Sequence, residues 1–128
     1  MRLDEINDHG EDQFYASVGS ELAEQLGCNV ALKDISVRDG RSSSKIRTVR
    51  FQGQCEDGEF LILLSQSWEF GQSPSKPTTR VSVSDNEGMG SQAINLGRVG
   101  IWRDDPAALA KVLNSHGALN NLIDELFD

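Results

Sequence analysis

Apolar residues return every fourth position between Asp12 and Leu26, at Phe14, Val18, Leu22 and Leu26. That spacing draws one stripe along a helix, and Gly27 follows as a natural stop. Gly19 lies inside the helix, where glycine costs about 1 kcal/mol relative to alanine. A close approach of helix to sheet at Gly19 is the reason to expect there.

The pattern then changes to alternation. Val30 and Leu32 keep one phase, and Ile35 and Val37 resume one step out of it, which predicts a strand with a bulge near Lys33 and Asp34. A second strand runs from Lys45 to Cys55. Val49, Phe51, Gly53 and Cys55 share its apolar face, and Ile46, Thr48, Arg50, Gln52 and Gln54 share the other. Glu56-Asp57-Gly58 makes a tight hairpin into GEFLILLSQSWEF, whose near-continuous apolar run predicts a central strand covered on both faces at its start. The loop GQSPSKP excludes a helix through its prolines. TTRVSVS restores alternation at Val81 and Val83, and QAINLGRVGIW supplies a fifth strand with Gly97 as a kink.

Near the C-terminus Asp105 is a helix cap and Pro106 a first-turn residue. Leu109, Val112 and Leu113 form the buried stripe, and Gly117 is the expected stop. A last helix places Leu119, Leu122, Ile123 and Leu126 on one side. The order of helix, about five hairpin-joined strands, helix and helix predicts a single α+β domain over residues 1–128 with a mainly antiparallel sheet. Residues 1–11 form an acidic leader.

Length agrees with one domain, since 128 residues can bury a self-sufficient core. The N-terminal MRLDEINDHGED has neither the basic end nor the apolar run of a signal peptide, and no stretch approaches a membrane span, so a cytoplasmic location is expected. Cys28 and Cys55 are then read as two buried thiols rather than a disulfide.

Charge is sorted by segment. Residues 1–27 hold Asp4, Glu5, Asp8, Glu11, Asp12, Glu21 and Glu24 against Arg2. Residues 33–50 hold Lys33, Arg38, Arg41, Lys45, Arg47 and Arg50 against Asp34 and Asp39, in a chain whose net charge is -8. An acidic field steers a basic partner, which makes Asp8, Asp12, Glu21 and Glu24 candidates for a partner-binding face. The basic hairpin 38–50 offers an alternative phosphate or nucleic-acid contact through Arg41, Lys45, Arg47 and Arg50. No aromatic stacking platform accompanies it, because Phe51 alternates onto the apolar face. Internal pairing of these bases with the acids of the first helix explains their clustering more simply.

Motifs for catalysis are weak. Gly88-Met89-Gly90-Ser91-Gln92-Ala93 matches G-x-G-x-x-A, but INLGRVGIW reads as a strand where a dinucleotide loop needs a helix. His9 lies in the acidic leader, and His116 closes a helix, where a cation offsets the dipole. DEINDHGED places Ile6 where a calcium loop needs an oxygen ligand. No enzyme activity, metal or cofactor is therefore expected. Trp68, Phe70 and Trp102 are candidate aromatic anchors for a protein partner. Trp68 and Phe70 stand out, because SQSWEFGQSPSKP leaves the strand for a polar surface loop over residues 66–77.

The element order is loosely similar to that of small acidic secretion chaperones, with the proline-containing loop in place of their middle helix. That resemblance implies a role in holding a partner chain. The expectation overall is a non-enzymatic acidic protein-binding module: an inhibitor, an immunity protein, or a phage or plasmid counter-defence factor of anti-CRISPR or anti-restriction type.

Overall fold

A computed structural model describes residues 11–41, 44–69, 76–87 and 92–127. Five strands, β1 (Asn29–Asp39), β2 (Lys45–Cys55), β3 (Gly58–Trp68), β4 (Thr78–Ser84) and β5 (Gln92–Arg98), form one antiparallel sheet in the order β1-β2-β3-β4-β5. Helix α1 (Asp12–Leu26) precedes the sheet, and α2 (Pro106–Leu113) and α3 (Ala118–Leu126) follow it, with a 3-10 turn at Ser115–Gly117 between them. The α+β class, the antiparallel sheet and the flanking helices are those expected from the periodicities.

Local chemistry explains most boundaries. Gly27 adopts φ 68° and donates its N–H to Ala23 O at 3.0 Å, a left-handed stop that a side chain would strain. Asp105 accepts from Ala108 N at 3.2 Å and Pro106 takes the first turn of α2. That helix ends at Leu113, earlier than the stop expected at Gly117. Asn114 interrupts it, its Oδ1 accepting from Leu119 N at 2.9 Å and so capping α3 instead. The β1 register shifts between Leu32 and Asp34, at the bulge that the change of phase marks.

All three helices pack on one face of the sheet. Tyr15, Val18 and Leu22 of α1, Leu109 and Leu113 of α2, and Leu119 and Ile123 of α3 share a core with Val49, Phe51, Phe60, Ile62, Leu64, Val81 and Val83. Each fully buried Leu or Ile contributes about 1.5–3 kcal/mol. A side chain at Gly19 would meet the Phe51 ring at 3.2 Å, so its lack of one lets α1 approach the sheet closely.

Strand β3 is central, but the described residues cover it on one face only. Phe60, Ile62 and Leu64 are buried while Leu61 and Leu63 stay half-exposed. The other face of the sheet carries Ile46, Thr48, Arg50, Leu61, Leu63 and Arg80, and none of the described helices packs on it. The apolar run therefore reflects two rows, one buried and one half-exposed.

Candidate partner-binding surface

A buried polar cluster sits where α1 begins, at one end of the sheet. Strand alternation puts Arg47 in the inward row with Val49 and Phe51, opposite Gln66 of β3. Its guanidinium lies 5.0 Å from the ring centroids of both Tyr15 and Trp68, a cation held between two aromatic faces. Nε donates to Gln66 Oε1 at 2.8 Å, and Nη2 donates to the Tyr15 hydroxyl at 2.7 Å. The Tyr15 hydroxyl in turn donates to Gln66 Oε1 at 2.9 Å. Burial raises the Tyr15 pKa above 10.0, and the charge of Arg47 partly opposes the rise.

Glu11, buried at the start of α1, completes the cluster. Arg47 Nη1 stands 3.8 Å from its Oε1, and Arg103 Nη1 reaches the same oxygen at 2.5 Å. Arg103 belongs to the connection between β5 and α2, so this contact binds that connection to the first turn of α1. Glu11 Oε2 and Gln66 Nε2 are buried without a hydrogen-bond partner among the described residues.

Beside this anchor stands Trp102, which is 51% exposed. Its ring lies over Gly100, where a Cβ would come within 2.9 Å of it. Asp105 N donates to Trp102 O at 3.0 Å, closing a turn through Arg103 and Asp104. Asp104, Asp105 and, next to Glu11 on α1, Asp12 are exposed. An aromatic face thus stands in water on a braced turn, with the exposed Asp104 and Asp105 following it in the chain.

The structure distributes the expected site residues differently from the sequence reading. Trp68 is 1% exposed and ends β3 facing inward, so it is core packing against Arg47 and not an exposed anchor. The expected surface loop 66–77 is also corrected at its start, since Gln66 and Trp68 are buried strand residues. Phe70, Asp8, His9 and the G-x-G segment at 88–91 lie outside the described residues. His116 is exposed, with φ 57° in the 3-10 turn.

The acidic face is broken up. Asp12 and Glu21 are nine residues apart on α1, about half a turn out of phase, so they point to opposite sides. Glu24 is exposed and Glu21 half-buried. The basic hairpin is largely neutralised from within. Lys45 pairs with Asp39 directly across the β1–β2 ladder, and Arg50 Nε pairs with Asp34 Oδ1 at 2.8 Å. Arg47 is 2% exposed and Arg41 is exposed. Most of the pairing is with acids of β1 rather than of α1, because antiparallel register sets those partners opposite one another.

Comparison with family models, with curated proteins and with solved structures finds no match. Among the described residues no group of three or more His, Cys, Asp or Glu side chains is placed to hold a metal ion. No described helix is long and apolar enough to cross a membrane.

Tyr15, Glu11 and Arg103 were missed by sequence reasoning, and Arg47 was assigned to the wrong environment. One signal was present: Arg47 occupies the same alternation phase as Val49 and Phe51. A charged residue in an apolar row calls for buried partners.

Proposed function

We propose that this protein is an acidic protein-binding module that inserts Trp102 into a partner whose surrounding surface is basic. The supporting observation is the exposed Trp102 ring, seated over Gly100 on a turn that Arg103 ties to Glu11. Tryptophan is enriched among residues that dominate binding energy, and a pre-formed turn lowers the ordering cost of docking. Asp12, Asp104 and Asp105, in a chain of net charge -8, supply the field that draws a basic partner.

An inhibitor, immunity or counter-defence role in the cytoplasm is the biological setting this reading favours, with the target a protein that itself binds nucleic acid. A secretion-chaperone-like role is a variant of the same partner-holding activity. Direct phosphate binding by the hairpin is the weaker reading, because Lys45 and Arg50 are paired and Arg47 is buried.

Affinity capture from the source cells tests the proposal, using wild-type protein and Trp102→Ala as baits at low and high salt. A partner retained by wild type, lost with Trp102→Ala and weakened by salt is expected. Equal capture by both baits at both salt concentrations would reject the reading.

A further inference from the structure

The chain has two cysteines, Cys28 and Cys55, 27 residues apart, and the fold brings them together at the other end of α1. Asn29 pairs with Gln54 in the β1–β2 ladder, so the next step places Cys28 opposite Cys55. Both side chains are half-buried and pack against the core. Their shared direction follows from alternation: Cys28 is in phase with Val30 and Leu32, and Cys55 is in phase with Phe51 and Gly53, the helix-covered face.

The thiols are near enough that the Cys55 sulfur helps to raise the Cys28 pKa. Each also donates to a nearby carbonyl at 3.6 Å, Cys28 Sγ to Leu26 O and Cys55 Sγ to Gly58 O. Two thiols on one face, directly across an antiparallel pair, have the separation that a disulfide spans with little backbone movement.

We propose that Cys28 and Cys55 are a modification site: a pair that closes to an intramolecular disulfide by exchange with a low-molecular-weight disulfide and reopens with a thiol reductant. The Cys55 thiolate attacks one sulfur of the small disulfide, forming a mixed disulfide and releasing one small thiolate. Cys28 then gives up its proton, and its sulfur attacks Cys55 Sγ and expels the second thiolate. The small disulfide is reduced by two electrons, the cysteine pair is oxidised by two, and the two thiol protons end on the released thiols.

The order of attack follows from the surroundings of Cys28. Burial, then the neighbouring Cys55 sulfur, then Asp124 of α3 raise its pKa above 9.0, which suits it to the resolving role. The closed form ties the exit of α1 at Gly27 covalently to the hairpin between β2 and β3, a connection that the reduced protein holds by packing and by the β1–β2 ladder.

The purified full chain, reduced and then equilibrated with oxidised glutathione, tests this. Closure predicts that both reactive thiols disappear and that the mass falls by about 2 Da without a dimer on a non-reducing gel. The melting temperature should rise by about 5 °C or more, and dithiothreitol should restore the starting state. Cys28→Ser should stop at the mixed disulfide on Cys55. Retention of both thiols, a persistent glutathione adduct on wild type, a disulfide-linked dimer, or a lower melting temperature would each overturn the proposal.

Discussion

Arg103 reaches Glu11 across 2.5 Å, joining the turn after β5 to the first turn of α1. The same carboxylate lies 3.8 Å from Arg47, which is enclosed by Tyr15, Gln66 and Trp68. A buried cluster thereby braces the turn that displays Trp102. The surface feature depends on the interior one.

Removing Arg47 should therefore be costly. Arg47→Ala takes one of two donors from the Gln66 carbonyl, leaves the Tyr15 hydroxyl oxygen without its donor and opens a void between two rings. A loss of about 3–5 kcal/mol is expected in chemical denaturation, the range for breaking a buried charged pair. Arg47→Met should recover part of it by refilling the volume. A loss within the surface range of about 0.5 kcal/mol would mean that the cluster contributes little.

Tyr15 is the only tyrosine, so phenolate absorbance reports it alone. Its pKa is raised in the folded protein, chiefly by burial, so the unfolded chain loses this proton first as pH rises through 10.0. The native state then binds more protons than the unfolded one, and stability falls with pH. The Tyr15 contribution is fully present below pH 10 and is lost as pH rises through the folded pKa. Titration should give a midpoint above 10.0 in buffer and near 10.0 in denaturant; coincident midpoints would contradict the burial argument.

The two tryptophans should separate by stability. Trp68→Ala removes a side chain that is 1% exposed and should cost about 3–5 kcal/mol. Trp102→Ala removes one that is half in water and should cost under about 1 kcal/mol. Thermal melts of both variants check this. A larger fall for Trp102→Ala would make it a structural residue and remove the case for an anchor.

These two residues also mark how far the sequence could be read. Periodicity located α1, the bulge at Leu32 and Asp34, the strand from Lys45 to Cys55 and the Asp105 cap, because each depends on neighbours a few positions away. It misplaced Trp68, since the polar composition of SQSWEFGQSPSKP suggested a loop while alternation carried β3 inward to its last residue. The Arg47 cluster was harder to see. Its members come from α1, β2, β3 and the β5–α2 turn, and only long-range pairing brings Glu11 to Arg103 or Tyr15 to Gln66.

A glycine in β2 gives an independent check on packing. Gly53 faces Phe60, and a Cβ there would overlap the Phe60 ring, which is fully buried and set edge-on to Phe127 with centroids 6.5 Å apart. Gly53→Ala should destabilise by about 1–3 kcal/mol, the cost of overpacking a filled core. An unchanged denaturation midpoint would mean that Phe60 has room to move.

The central claim is that Trp102 is the anchor of a protein-binding surface. The most direct measurement is the dissociation constant of the captured partner for wild type and for Trp102→Ala at one fixed salt concentration. At least about a tenfold weakening, or about 1.4 kcal/mol, is expected, with the melting temperature of the variant nearly that of wild type. Equal affinity for the two proteins would contradict it.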